Sequence, residues 1–236
     1  MLILGIDTAT SVCSLALYDG ERVLSEYSAD NGLTHSEKMM PQLQHLLDSC
    51  AVLPRQLSGI AVSLGPGSFT GLRIGLSCAK TMGYALKIPI AGIATPLSLA
   101  WNLPLPGVWL SPLIDGQKGN VYQTVYEWRA GSMLEVEKTT LKPYGEALAF
   151  LSQSGRECVP LGECIVAPPG GWPKGVSPAP PYVCKPRAAV AAFLGYARVA
   201  AKDWDDPFTL EPYYMKKSEA EILWEKRRTN AATCER

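Results

Sequence analysis

Residues 65–83 read Gly-Pro-Gly-Ser-Phe-Thr-Gly-Leu-Arg-Ile-Gly-Leu-Ser-Cys-Ala-Lys-Thr-Met-Gly. An apolar run, Gly59 to Leu64, enters the Gly-Pro-Gly turn, and a helix-like segment leaves it. Along that segment Gly71, Gly75, Ala79 and Gly83 recur every fourth residue. Four helical steps advance about 400°, so the small residues form one slowly winding stripe. Glycine costs a helix up to ~1 kcal/mol per site relative to alanine. Three glycines on one face therefore need a compensating gain, and close approach of another helix supplies one. The stripe predicts that Gly71, Gly75 and Ala79 face a partner helix, flanked by Leu72 and Leu76, with Met39 and Leu43 of an earlier helix contributing. A tight turn followed by core packing inside one domain is the plainer alternative.

Anion binding is the rival reading of the same stretch. Gly65, Gly67, Ser68 and Thr70 offer amides and hydroxyls at a helix N-terminus. The Walker pattern needs Lys and Ser/Thr directly after its second glycine, and Phe69-Thr70-Gly71-Leu72 does not supply them. The dinucleotide spacing also fails, because Gly65-x-Gly67 is followed only by Gly71. Helix packing is the preferred reading.

Working outward, Leu2 to Ile6 reads as a buried strand. Val12 to Tyr18 and Arg22 to Tyr27 follow, separated by Asp19-Gly20, a hairpin signal. Thr34-His35-Ser36-Glu37 has the capping-box pattern. Behind it Met39, Leu43, Leu46, Leu47 and Cys50 recur at helical spacing, with Pro41 expected to kink the helix or mark its regular start. The order is βββαβα. Ile6-Asp7 and Tyr18 return as Ile114-Asp115 and Tyr126, an offset of 108 in each case. A second hairpin strand spans Val121 to Trp128, which predicts a duplicated architecture. Leu103-Pro-Leu-Pro-Gly107 looks like the connection. The expected division is 1–105, 106–225 and a tail, 226–236, with the last helix free to cross back after about residue 203. Tyr144 to Leu151 and Ala188 to Lys202 read as helices of the second half, and 218–228 as helical. Ala167 to Pro181 is Pro/Gly-rich and reads as a long irregular surface loop.

The 236 residues are 47% apolar and 19% charged, with 22 basic and 22 acidic side chains. That composition fits a folded globular chain and provides no global pull toward nucleic acid. The seven cysteines lack any Cys-x-x-Cys, and no basic-then-apolar leader opens the chain. Free thiols in a reducing cytoplasm, with no membrane span, are the expectation. The two histidines, His35 and His45, are ten apart and share no helical face, so a metal site built by this chain alone is not expected. Gly-x-Ser-x-Gly does not occur.

Two loops remain as candidates for chemistry. Asp7-Thr8-Ala9-Thr10-Ser11 ends a strand and joins a carboxylate to several hydroxyls, as a magnesium–phosphate site needs. A capped hairpin turn is the structural alternative. Asp115-Gly116 is its counterpart in the second half. Two facing acidic loops would suit a nucleotide cleft, so Asp7, Thr8 and Asp115 are candidate nucleotide or phosphate contacts. Glu211 to Glu221 forms a compact C-terminal motif around Tyr213, Tyr214, Lys216 and Lys217.

Taken together, Ile3-Leu4-Gly5-Ile6-Asp7-Thr8, Gly65 to Gly75, Ala79-Lys80 and Pro212-Tyr213-Tyr214 to Ser218-Glu219-Ala220-Glu221 resemble the bacterial TsaB (YeaZ) family. The likeness runs in order over nearly the whole chain. It implies a duplicated actin-like, ribonuclease-H-like α/β fold with two βββαβα-type domains. It also implies a non-catalytic role in placing the threonylcarbamoyl group (t6A) on the adenosine beside the anticodon of tRNAs reading codons that start with A. The implied partners are TsaD, a catalytic paralogue with a histidine-based metal site, and TsaE, an ATPase. A homodimer through first-domain helices is implied in isolation, with tRNA met through the complex. ATP, ADP and metal belong to the partner subunits. An actin-like ATPase or small-molecule kinase using Asp7 and Asp115 is the alternative, and a protease a more distant one. Asp115-Gly116-Gln117-Lys118 departs from the Asp-Ala-Arg usual in the family.

Overall fold

The computed structural model describes residues 1–30 and 34–215. Strands β1 (Ile3–Asp7), β2 (Cys13–Tyr18) and β3 (Val23–Ala29) form an antiparallel meander. The Asp19 carboxylate accepts from the amides of Glu21 and Arg22, both at 2.9 Å, which fixes the turn between β2 and β3. Helix α1 (His35–Ser49) follows, opened by Glu37 accepting from the Thr34 amide at 2.9 Å. Pro41 lies inside α1 and does not mark its start. Strand β4 (Gly59–Gly65) joins parallel to β1, helix α2 (Phe69–Leu86) crosses over, and β5 (Ile90–Ala94) joins parallel to β4. The strand order is β3-β2-β1-β4-β5. β1 and β4 read as continuous apolar runs because both faces of the sheet are covered.

After α3 (Thr95–Ala100) the pattern returns. β6 (Trp109–Asp115), β7 (Asn120–Arg129) and β8 (Ser132–Pro143) are antiparallel, α4 (Tyr144–Gln153) follows, and β9 (Cys158–Leu161) is parallel to β6. The order β8-β7-β6-β9 repeats the first sheet without its last strand. β1 and β6 both end in aspartate, with Asp7 opposite Ser14 and Asp115 opposite Val121. The fold is therefore the duplicated, actin-like α/β architecture.

Two expectations need correction. Helix α5 (Ala188–Ala200) does not belong to the second half; it packs on β1, β2, β4 and β5 of the first sheet. The chain crosses back before residue 188, not after residue 203. The cause is the small face of α5. A Cβ on Gly5 would overlap the Ala188 carbonyl, and one on Gly195 would overlap the Ala61 Cβ, so helix and sheet meet at backbone distance. Glu26 caps this helix, accepting from the Ala189 amide at 3.0 Å and from the Arg187 guanidinium.

The segment 167–181 is irregular but not merely a surface loop. Its end runs along the β9 edge: Cys158 N donates to Gly175 O, Ser177 N to Cys158 O and Ala179 N to Pro160 O, all within 2.9 Å. Val176 and Ala179 are buried there. The segment protects a strand edge that would otherwise be open. Residues 203–215 line the other sheet in the same way, with Asp205 N on Ile90 O and Tyr213 N on Leu64 O. Lys216, Lys217, the Ser218–Glu221 motif, the 218–228 helix reading and the 226–236 tail lie outside the described residues. Among the described residues no helix is long and apolar enough to cross a membrane.

Candidate functional site

The cleft between the halves encloses about 770 Å³. Thr10, Ser11, His35 and Ser68 line it from the first half, and Asp115, Gln117 and Glu163 from the second. Asp115 thus reaches the cleft, as the facing-loop reading expects. Asp7 does not. It is 1% exposed, with Oδ1 accepting from the Ala9 amide at 3.1 Å and Oδ2 unpartnered. Burial pushes its carboxyl up to about 7, and Glu163 adds to the shift. Thr8 is turned inward as well, its hydroxyl donating to Gly71 O at 2.8 Å.

The two loops that follow β1 and β4 are bonded to each other where they line the cleft. The Ser68 amide donates to Ala9 O at 2.7 Å, and the Gly71 amide to Ser68 Oγ at 3.2 Å. A Cβ on Gly67 would overlap the Ala9 carbonyl. The Ser68 and Gly71 amides are therefore already engaged within the protein. A buried Asp7 that does not line the cleft is also a poor magnesium ligand. The residues present do not fit a magnesium–nucleotide held in the usual manner of this fold. His35 serves the same closure: its Nε2 lies 2.8 Å from Thr10 O, which assigns the ring proton there, and burial holds its pKa below the usual range. Burial pushes the Cys13 and Cys164 thiols up to about 11, which leaves them poor nucleophiles.

The small-residue stripe also turns inward. A Cβ on Gly71 would overlap the Thr8 carbonyl, one on Gly75 the Thr8 hydroxyl, and one on Gly83 would press on Ile90. Leu72, Leu76 and Ala79 are buried beside them, as are Met39 and Leu43 of α1. Apart from Met39, these seven residues do not present a partner-facing seam; the close approach is between α2 and its own half. The plainer alternative was right. A small helical face signals close approach of another backbone, and here that backbone belongs to the chain's own first sheet and the loop after β1.

What α1 and α2 show to the outside is a different stripe. Ile74, Cys78 and Met82 also recur every fourth residue, one position before the small ones, and are half-buried. With Met40, 56% exposed, and the edge of Met39 they form an apolar groove of about 650 Å³ between the helices. Of the seven predicted contacts only Met39 lines it. The i, i+4 repeat of Ile74, Cys78 and Met82 was available in the sequence and was overshadowed by the glycines. Among the described residues no group of three His, Cys, Asp or Glu is placed to hold a metal.

A family model described as "TsaD: tRNA N6-adenosine threonylcarbamoyltransferase" matches residues 29–157. The tRNA threonylcarbamoyladenosine biosynthesis protein TsaB of Bacillus subtilis is 32% identical over 230 residues, covering 95% of this chain and 98% of that protein. The chain belongs to the TsaB family. The Escherichia coli TsaB protein is 30% identical over 152 residues, 61% of this chain and 63% of that protein. YeaZ from Pseudomonas aeruginosa superposes with a TM-score of 0.73 at 22% identity, over 91% of this chain and 99% of that one. A second structure, "an uncharacterized protein with similarity to peptidase YEAZ from Pseudomonas aeruginosa", gives a TM-score of 0.75 with the same identity and coverage. At that identity the two structures speak for the fold.

Proposed function

We propose that this TsaB-family chain takes part in t6A biosynthesis as a non-catalytic subunit. In this reading it supports threonylcarbamoylation of the adenosine beside the anticodon in tRNAs reading codons that start with A. The observation that carries the proposal is the outward groove of α1 and α2. It is apolar and methionine-rich, as adaptable protein-binding surfaces are. The groove receives the catalytic paralogue TsaD, and in its absence a second copy of this chain. TsaE joins the pair, tRNA is met through the complex in the cytoplasm, and nucleotide and metal are held by the partner subunits. The self-closed Asp7 loop supports the same reading, because it disfavours the alternative of an actin-like ATPase or small-molecule kinase.

The test is a Met40→Asp, Ile74→Asp double variant of the full chain. Both positions lie on the groove; Met40 is exposed, whereas Ile74 is half-buried and also packs against the first-half core. The variant is expected to lose some stability at Ile74 but to stay folded by thermal melt, with Met40→Asp alone melting like wild type, and to bind purified TsaD at least ~100-fold more weakly by sedimentation velocity, a loss of about 2.7 kcal/mol. Reconstituted tRNA threonylcarbamoylation is expected to fall in parallel. Undiminished binding would remove the docking reading. Multiple-turnover ATP hydrolysis by the purified chain, abolished by Asp7→Ala, would instead establish the ATPase.

A further inference from the structure

Among the described residues the groove has one charged residue in its lining, Arg73 of α2. Its guanidinium carbon sits 3.9 Å from the Phe69 ring centroid and 5.7 Å from that of Tyr214. The two rings lie 4.8 Å apart. Arg73 Nε donates to Tyr214 Oη at 2.8 Å, across 141 residues of sequence. Tyr214 is anchored in turn, because the neighbouring Tyr213 amide donates to Leu64 O at 2.7 Å. The guanidinium plane is therefore set before any partner arrives. Its Nε–H is used, while Nη1 and Nη2 meet no carboxylate among the described residues.

A protein that covers this groove takes water away from that charge. An arginine buried without an anion is strongly unfavourable, so the covering surface has to bring one. We propose that Arg73 is the specificity-determining anchor of the docking face, reading through Nη1 and Nη2 an aspartate or glutamate of the protein that seats on α1 and α2. This rests on the docking reading above. A carboxylate is favoured over a nucleic-acid phosphate because the rest of the lining is Met39, Met40, Ile74, Cys78 and Met82 with small polar residues, and phosphate backbones are held by several cations rather than one. Among the described residues the groove lining holds no carboxylate of its own. Two copies of this chain meeting face to face through the groove bring neither arginine a carboxylate from the described lining. Arg73 accordingly favours the heteromeric complex over self-association, and does so partly by penalising the wrong partner.

The experiment measures full-length wild type, Arg73→Met, Arg73→Lys and Met40→Asp against purified TsaD at low and high salt, with self-association followed in parallel. Arg73→Met is expected to bind TsaD about 30-fold more weakly, with a flattened salt dependence, and to self-associate at least as tightly as wild type. Arg73→Lys should fall between, since lysine lacks the planar fork. Thermal melts report folding, and Tyr214→Phe, which frees Nε but keeps the stack, provides a milder variant with a smaller loss. If Arg73→Met binds TsaD within about twofold of wild type while Met40→Asp does not bind, docking stands and the anchor is refuted. If Met40→Asp also binds normally, the docking reading fails with it. If removing residues 216–236 reproduces the Arg73→Met effect, the acceptor is the chain's own C-terminal carboxylate and the proposal is overturned. The same holds if Arg73→Met weakens tRNA binding and leaves TsaD affinity unchanged, which would mark a phosphate.

Discussion

The first sheet has α1 and α2 over one face and α5 over the other, whereas the second has α4 over one face and α3 with irregular chain over the other. Both halves start from the same strand order, but the helix that follows β9 covers the first sheet. The second half completes its core with Val176 and Ala179 from the Pro/Gly-rich segment. The difference lies in how closely each covering element approaches. α2 and α5 press glycine and alanine faces onto β1 and β4, where backbones nearly touch. α4 carries Leu148 and Leu151 and stands off by the length of a side chain. A helix is claimed by the sheet whose surface its small face fits, whatever its position in the chain.

That contrast breaks most readily at Gly75. Gly75→Leu would drive a side chain into Thr8 and Ile6, and overpacking at backbone contact is expected to cost about 3 kcal/mol or more. A thermal melt should show a drop of roughly 6–12 °C, with the monomer rather than its assembly failing. In the second half a Cβ on Gly145 of α4 would meet nothing within 4 Å, so Gly145→Ala should stabilise by up to ~1 kcal/mol. A folded Gly75→Leu monomer that merely fails to associate would restore the partner-facing stripe.

The two strand-ending aspartates sharpen the comparison next. Asp7 carries a folded-state pKa of about 7 against an ordinary 3.8. The neutral form is therefore favoured by folding. Its contribution is fully present below about pH 4 and is lost as pH rises through 7. Asp7→Asn should match wild type near pH 4 and exceed it near pH 8 by up to a few kcal/mol. Urea titrations at the two pH values decide this. Asp115 is exposed, and Asp115→Asn should stay within about 0.5 kcal/mol. A pH-independent difference between Asp7→Asn and wild type would show that Asp7 ionises as freely as a surface carboxylate.

Smaller effects test how each half is closed. Val176→Ala, in the irregular segment, should cost about 1–2 kcal/mol in chemical denaturation, the value of lost buried methyl groups. No loss would mean that the segment only lies on the surface. Lys185 bonds Asp30 at 2.6 Å across the cleft, but both are substantially exposed, so Lys185→Ala should change stability by no more than ~1 kcal/mol. A larger effect would make the ion pair a true clasp between the halves.

The meander, the capping box, the Asp-Gly turn and the repeated Ile-Asp strand ends were legible because each depends on neighbours a few residues away. β8 and β9 gave no comparable signal. β8 is an exposed edge strand in which Glu135, Glu137, Lys138 and Lys142 interrupt the apolar pattern, and β9 is four residues long with a proline inside. The site was half legible. The glycine stripe announced close approach, and Ile74, Cys78 and Met82 beside it carried the outward face in the same period.

Chain-local physics determined that residues 65–83 turn and then coil, that small residues pack closely there, and that the first strand of each half ends in aspartate. Tertiary structure alone decided what those features meet. It placed Thr8, and not a foreign helix, against Gly71 and Gly75, closed the Asp7 loop onto Ser68, moved α5 to the first sheet and set Tyr214 beside Arg73. Each of these is a contact between residues far apart in sequence. Periodicity states which face of an element is small, apolar or charged, while the surface opposite that face exists only once the whole chain is folded.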